Sequence, residues 1–164
     1  MSKKKNKQEK TNAVRLIEKA GMDHKLIAYD SGGEFKTGKE VAEVTGVPEE
    51  RCFKTLVTVS QSKEHYVFCI PVAKELDLKK AASHFGEKKI EMIHERDLLP
   101  LTGYIKGGCS PVGMKKAFLT CIDASALDYD TIAVSGGKRG LQIELSPEDL
   151  ACLTSSDFDD VTKK

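Results

Sequence analysis

Apolar residues recur along this chain with two periods, one helical and one extended, and the order in which the periods alternate predicts the fold class. Ala13, Leu16, Ile17 and Ala20 form an i, i+3, i+4, i+7 stripe, so residues 12–20 are expected to be a helix that Gly21 stops. Leu78, Ala81, Ala82 and Phe85 make a second stripe of this kind. Thr37 and Glu40 stand at capping-box spacing, opening a helix to about residue 45 that Gly46 and Pro48 end. Residues 54–60 and 65–70 are β-branched or aromatic runs joined by four polar residues, the signature of a hairpin. Shorter strands are expected at 25–29, 89–92, 117–122, 131–134 and 141–145. A helix is expected over 93–99, closed by Pro100. Another opens at Ser146-Pro147-Glu148-Asp149, an N-cap, a first-position proline and two acids, and runs to about residue 153. Two Gly-rich loops, 102–113 and 135–140, interrupt the strands, and the acidic end, 157–164, is expected to be loose. Helices do not separate every strand, so the pattern argues for α+β with a mixed or antiparallel sheet, not a doubly wound one.

Composition narrows this reading. A length of 164 residues suits one domain, here 11–164, behind a flexible Lys-rich leader, 1–10. Lys plus Arg is 26 against Asp plus Glu 25, so the chain is no generally basic nucleic-acid coat, and any RNA contact must come from a local patch. No apolar run approaches the roughly 20 residues that cross a bilayer. The five cysteines include no C-x-x-C pair, and Cys69, Cys121 and Cys152 sit among apolar neighbours as small core residues. His24, His65, His84 and His94 do not stand at ligand spacing from them, so no metal site is expected, and the reducing cytoplasm is the expected compartment.

The chemistry-bearing residues cluster in the two Gly-rich loops and at one lysine. Glycine lets a backbone approach a ligand and present N–H groups to an anion. In the segment Ser135 to Gly140, Lys138 and Arg139 add positive charge, which suits a phosphate; a tight turn carrying two solvated cations fits the spacing as well. In the other loop, Gly108-Cys109-Ser110-Pro111-Val112-Gly113 is one residue too long for a nucleophile elbow. Pro111 also removes the N–H that an elbow uses as oxyanion donor, so a loop presenting N–H groups to a carbonyl is the better reading. Lys54 enters an apolar strand, either at a cleft edge or as a snorkelling strand-end residue. Tyr29 is either a pocket hydroxyl or a core aromatic.

Phe53-Lys54-Thr55-Leu56, Pro71-Val72-Ala73, Leu76 to Lys80, Thr102 to Lys116 and Val134 to Leu145 follow one another in one order. Together these segments resemble the YbaK/EbsC aminoacyl-tRNA deacylases and the editing insertion of bacterial prolyl-tRNA synthetases. The resemblance implies a YbaK/ProX-type fold, a twisted, barrel-like mixed sheet surrounded by helices. It implies a trans-acting deacylase for Cys-tRNA(Pro) that needs no cofactor, with mischarged tRNA and, transiently, prolyl-tRNA synthetase as partners. In such enzymes the substrate's own thiol is thought to attack the ester, so that no protein nucleophile is required. By position, Lys54, Gly107, Gly108 and Ser110 would then be the catalytic set. Tyr29, Ser135, Gly136, Gly137 and Gln142 would contact substrate, and Lys138 and Arg139 would meet tRNA phosphate. Two departures stand out: Gln142 where these proteins often have aspartate, and Cys109 where an aliphatic residue is common. The alternatives are a deacylase for Ala- or Ser-tRNA(Pro) that uses water, and a non-catalytic module that binds tRNA or a synthetase.

Overall fold

The computed structural model describes residues 10–164, so the Lys-rich leader falls, but for Lys10, outside the described residues. Five α-helices and eight strands follow: α1 (Asn12–Ala20), β1 (Lys25–Ala28), α2 (Gly38–Thr45), β2 (Phe53–Ser60), β3 (His65–Pro71), α3 (Leu78–His84), β4 (Ile90–Met92), α4 (Leu98–Thr102), β5 (Leu119–Asp123), β6 (Ile132–Ser135), β7 (Leu141–Leu145), α5 (Pro147–Thr154) and β8 (Asp157–Asp159). The architecture is the expected α+β. The strands form two sheets, one of order β1-β7-β6 and one of order β4-β2-β3-β5-β8, and they do not close into a barrel. The larger sheet is mixed: β2 pairs antiparallel with β3 and β4, while β3–β5 and β5–β8 are parallel.

Local chemistry explains the elements that position the site. Thr37 and Glu40 make the full capping box, each side chain bonded to the other's backbone N–H, and Gly46 closes α2 in the left-handed conformation. The β2–β3 hairpin runs in register from Phe53↔Pro71 to Val59↔His65. The sheets meet where Cys52, just before β2, bridges Ala133 of β6 in parallel. Arg51 reinforces the junction, donating to Glu144 of β7 at 2.8 Å and to the Thr131 hydroxyl at 3.0 Å. The main core lies under this junction, where Ile17 of α1, Phe53, Ile122, Val134, Ile143 and Leu150 of α5 are buried together. Phe68, Ile70, Ala81, Ile90 and Cys121 form a second cluster beneath α3.

The structure differs from the sequence reading in three places. Pro100 does not end a helix at 93–99. Residues Glu95–Asp97 form a 3₁₀ turn, and α4 begins after it, with Pro100 in its first turn, where a missing N–H costs no helical bond. The acidic end is not loose: β8 pairs with β5, Leu76 bridges Thr162, and Val161 is fully buried. Asp123 and Lys80 tie it down, the Asp123 carboxylate accepting from the Val161 N–H and the Lys80 amine reaching Asp160. Two apolar residues, Phe158 and Val161, packed into the core outweigh the polarity that suggested solvation. Finally, Cys152 is exposed on α5, whereas Cys69 and Cys121 are core residues as expected.

Candidate functional site

A cavity of about 230 Å³ lies at the junction of the sheets. Lys54 and Thr55 of β2 contribute one side, Ser135 of β6 and Gln142 of β7 another. The pairing Ser135↔Gln142 sets those two side by side, because directly opposed residues of an antiparallel ladder share a face. The first Gly-rich loop supplies Lys106, Gly107 and Cys109, and the segment before α2 supplies Phe35, Lys36 and Gly38.

Close backbone packing holds the two Gly-rich loops together. A Cβ at Gly108 would stand 2.9 Å from the Lys138 Cα and 3.0 Å from its carbonyl carbon, so only glycine fits. Gly107 has φ of 87°, and a Cβ there would meet the Phe35 ring at 2.9 Å. Arg139 fastens the arrangement by donating from Nε to the Lys106 carbonyl at 2.9 Å. Exposed Phe35 carries the Lys106 amine 4.5 Å from its ring centroid and the Arg139 guanidinium 6.0 Å from it. The mouth of the cavity is thus an aromatic ring flanked by two cations, of which Lys106 also pairs with Glu95 at 3.5 Å.

Inside, the polar groups are few. Lys54 is half-buried; its amine lies 3.4 Å from the Val72 carbonyl, and burial pulls its pKa down, more than Glu75 raises it. The Thr55 hydroxyl is buried with no hydrogen-bond partner among the described residues. Burial holds both cavity thiols neutral, with Cys52 pushed up to about 11 and Cys109 to about 12.

Of the residues singled out from the sequence, Lys54, Gly107, Ser135 and Gln142 line this cavity. Gly108 and Gly136 are buried and do not line it, Gly136 with Leu141 against the space a Cβ would need. Gly137 donates its N–H to Ser135 Oγ, shaping the second loop. Arg139 sits at the mouth, and the backbone of Lys138 packs on Gly108. Two residues are not brought to the cavity. Ser110 is fully buried, its Oγ accepting the Val112 N–H at 3.2 Å, so it folds the loop and presents no hydroxyl. Tyr29 leaves β1 to donate its N–H to the Gly140 carbonyl at 2.9 Å and does not line the cavity. Phe35, Lys36, Lys106 and Thr55 were missed. Phe35, the one aromatic in a polar segment between Gly33 and Gly38, was the available signal.

A wider depression of about 580 Å³ lies elsewhere, lined by Glu49, Glu50, Asp123, Asp128 and Asp160 among others. Its charge is opposite to what an RNA phosphate requires. Among the described residues, one His, Cys and carboxylate group, His84, Cys121 and Asp157, comes within metal-ligand range. Both His84 nitrogens already engage carboxylates, Asp157 at 2.9 Å and Asp159 at 2.8 Å, which accounts for the cluster as a clamp holding β8 to α3.

Residues 33–153 match the family model described as the aminoacyl-tRNA editing domain. EbsC of Enterococcus faecalis, a candidate Cys-tRNA(Pro)/Cys-tRNA(Cys) deacylase, is 47% identical over 100% of this chain and 99% of its own length. A crystal structure of a candidate trans-editing enzyme for prolyl-tRNA synthetase superposes with a TM-score of 0.82 at 25% identity, covering 96% of this chain and 100% of that one. The hypothetical protein APE2540 shares the fold, with a TM-score of 0.84 at 24% identity over 93% of this chain and 99% of that one.

Proposed function

The chain belongs to the aminoacyl-tRNA editing domain family, and from that premise we propose that it is a trans-acting deacylase that clears Cys-tRNA(Pro) in the cytoplasm. The observation that carries this reading is the cavity at the sheet junction, which joins Lys54 to the Gly107 loop and holds no nucleophile paired with a base. Ser110 is locked in a turn and the Cys109 thiol is held neutral, so neither supports covalent attack by the protein. The substrate supplies the nucleophile instead. Its thiol sulfur bonds to the ester carbonyl carbon, the bond from that carbon to the ribose oxygen breaks, and the thiol proton passes to the departing ribose hydroxyl. The products are a cysteine thiolactone and uncharged tRNA. The protein's part is to hold thiol and carbonyl together and to stabilise the charge that develops on the carbonyl oxygen. Lys54 and the backbone of the Gly107 loop fill that second role.

The cations at the mouth, Lys106 and Arg139 about Phe35, suit the phosphates and a base of the acceptor end, with prolyl-tRNA synthetase as the transient partner that delivers the tRNA. The test is single-turnover deacylation of Cys-, Ala- and Ser-tRNA(Pro), with and without that synthetase. Loss of cysteine alone, as thiolactone, is expected. Loss of alanine or serine would replace substrate-thiol attack by water, and no turnover would leave a binding module. Lys54→Ala should reduce the cysteine reaction about 100-fold or more, with little change in Tm because the side chain is half-buried at a cavity edge. Wild-type turnover in that variant would remove Lys54 from the mechanism.

A further inference from the structure

Lys36, Lys54 and Lys106 line the cavity, and among the described residues no aspartate or glutamate does. Glu95 pairs with the exposed Lys106 amine at 3.5 Å and offsets that cation, while Lys36 and Lys54 keep the lining positive. Lys39 acts on Lys54 from α2, and Arg139 stands at the mouth beside Lys138. Glu75, which acts on Lys54 from beyond β3, is exposed and paired with Lys163 at 3.2 Å. The Cys52 and Cys109 thiols stay neutral through the physiological range. The uncharged polar side chains of the lining are Thr55, Ser135 and Gln142, and of these Gln142, 8% exposed, is the one amide. An amide both donates and accepts but carries no charge. It can pair with an amine nitrogen in its neutral form; it cannot offset an ammonium placed beside Lys36 and Lys54 in a partly desolvated space.

We propose that the site takes its aminoacyl ester with the α-amine uncharged, and that Gln142 is the residue that sets this preference. The inference rests on the deacylase reading and specifies the form of substrate that the same cavity accepts. Gln142 contacts the amine, Lys54 faces the ester, and the amino acid enters as free base. An α-amino group titrates at about 7.7–8.0, so at pH 6 only one to two molecules in a hundred carry the accepted form. Apparent affinity should then fall on the order of thirtyfold from pH 8 to pH 6.

The experiment compares two unreactive ligands: adenosine carrying cysteine at the 3′ position through an amide in place of the ester, and its counterpart with 3-mercaptopropionate, which lacks the amine. Their Kd ratio cancels titration of the protein. We expect the cysteinyl ligand to bind on the order of tenfold or more weakly than its counterpart at pH 6, with the gap closing by pH 8. Gln142→Asp, which supplies a countercharge, should shrink the pH 6 gap at least tenfold. A ratio near one at both pH values, or tighter binding of the cysteinyl ligand at pH 6, overturns the proposal on the wild-type protein alone. Turnover of Cys-tRNA(Pro), measured in parallel, separates the two readings. Turnover with a flat ratio removes only the neutral-amine inference. Absence of turnover together with failure of both ligands to bind removes the deacylase reading and this inference with it.

Discussion

Lys54 and Gln142 line one cavity from two different sheets, although the single β-bridge joining those sheets among the described residues is Cys52 to Ala133. The relative placement of the two side chains therefore depends on packing and loop contacts around that bridge more than on a continuous ladder. Changes that loosen those contacts should act on the chemistry without touching either residue.

Gly108 offers the sharpest test of that dependence. It carries no strained φ, so Gly108→Ala introduces only a methyl group, aimed at the Lys138 backbone at 2.9 Å. Backbone cannot give way as a flexible side chain can, so the variant should lose about 1–3 kcal/mol of stability. Deacylation should drop further than the lost folded population accounts for, because the loops that carry Gly107 and Arg139 are forced apart. Thermal melts and single-turnover rates below the transition separate the two effects. An unchanged rate would mean that loop spacing does not matter.

The clamp at His84 should make docking of β8 depend on pH. Burial lowers the His84 pKa, but hydrogen bonds to Asp159 and Asp157 outweigh it, and the net shift is upward. A raised folded pKa gives stability that is full below about 6.5, the unfolded value, and that is lost as pH rises through the folded value. The bond from His84 also holds the Asp159 carboxyl below its usual range, a contribution present above about 3.9 and lost as pH falls through the lowered value. Amide exchange across 157–162 should thus be slowest between these limits, relative to the intrinsic rate at each pH. In His84→Gln the alkaline loss should disappear. Equal protection at pH 6 and pH 8.5 in the wild type would contradict the clamp.

Thiol labelling should distinguish Cys152 from the other four cysteines. Cys152 is exposed; Cys52, Cys69, Cys109 and Cys121 are buried. Burial also pushes the Cys69 thiol up to about 12, as it does Cys109. The native protein should give one rapid equivalent with a disulfide reagent and five after denaturation, and Cys152→Ser should abolish the rapid one. Rapid labelling of Cys109 would show that the cavity opens far more widely than its 8% exposure implies.

The sequence carried the helices other than α4, the hairpin and the two Gly-rich loops because each rests on local chemistry: the Thr37 capping box, the Gly21 stop, the β-branched runs. It carried part of the cavity for a related reason, since Lys54, Gly107, Ser135 and Gln142 lie in or beside those same motifs. Contacts between segments distant in the chain were not legible. Nothing local announces that Phe35 meets Lys106 and Arg139, that His84 meets Asp157 and Asp159, or that Val161 is buried. Nor does the loop motif announce that the Ser110 side chain turns inward to accept the Val112 N–H.

The strand order has a kinetic consequence. The β2–β3 hairpin closes through four residues, so Lys54 and Thr55 acquire their partners early. By contrast, β3 waits for β5 across half a hundred residues, and Gln142 reaches the same region only when β6 and β7 assemble. Contact order of this kind slows folding, and it leaves the exposed edge of β3 open to wrong partners until β5 arrives. The chain should therefore refold in a late, rate-limiting step that builds the cavity, and binding of the substrate end should speed that step little while slowing unfolding strongly.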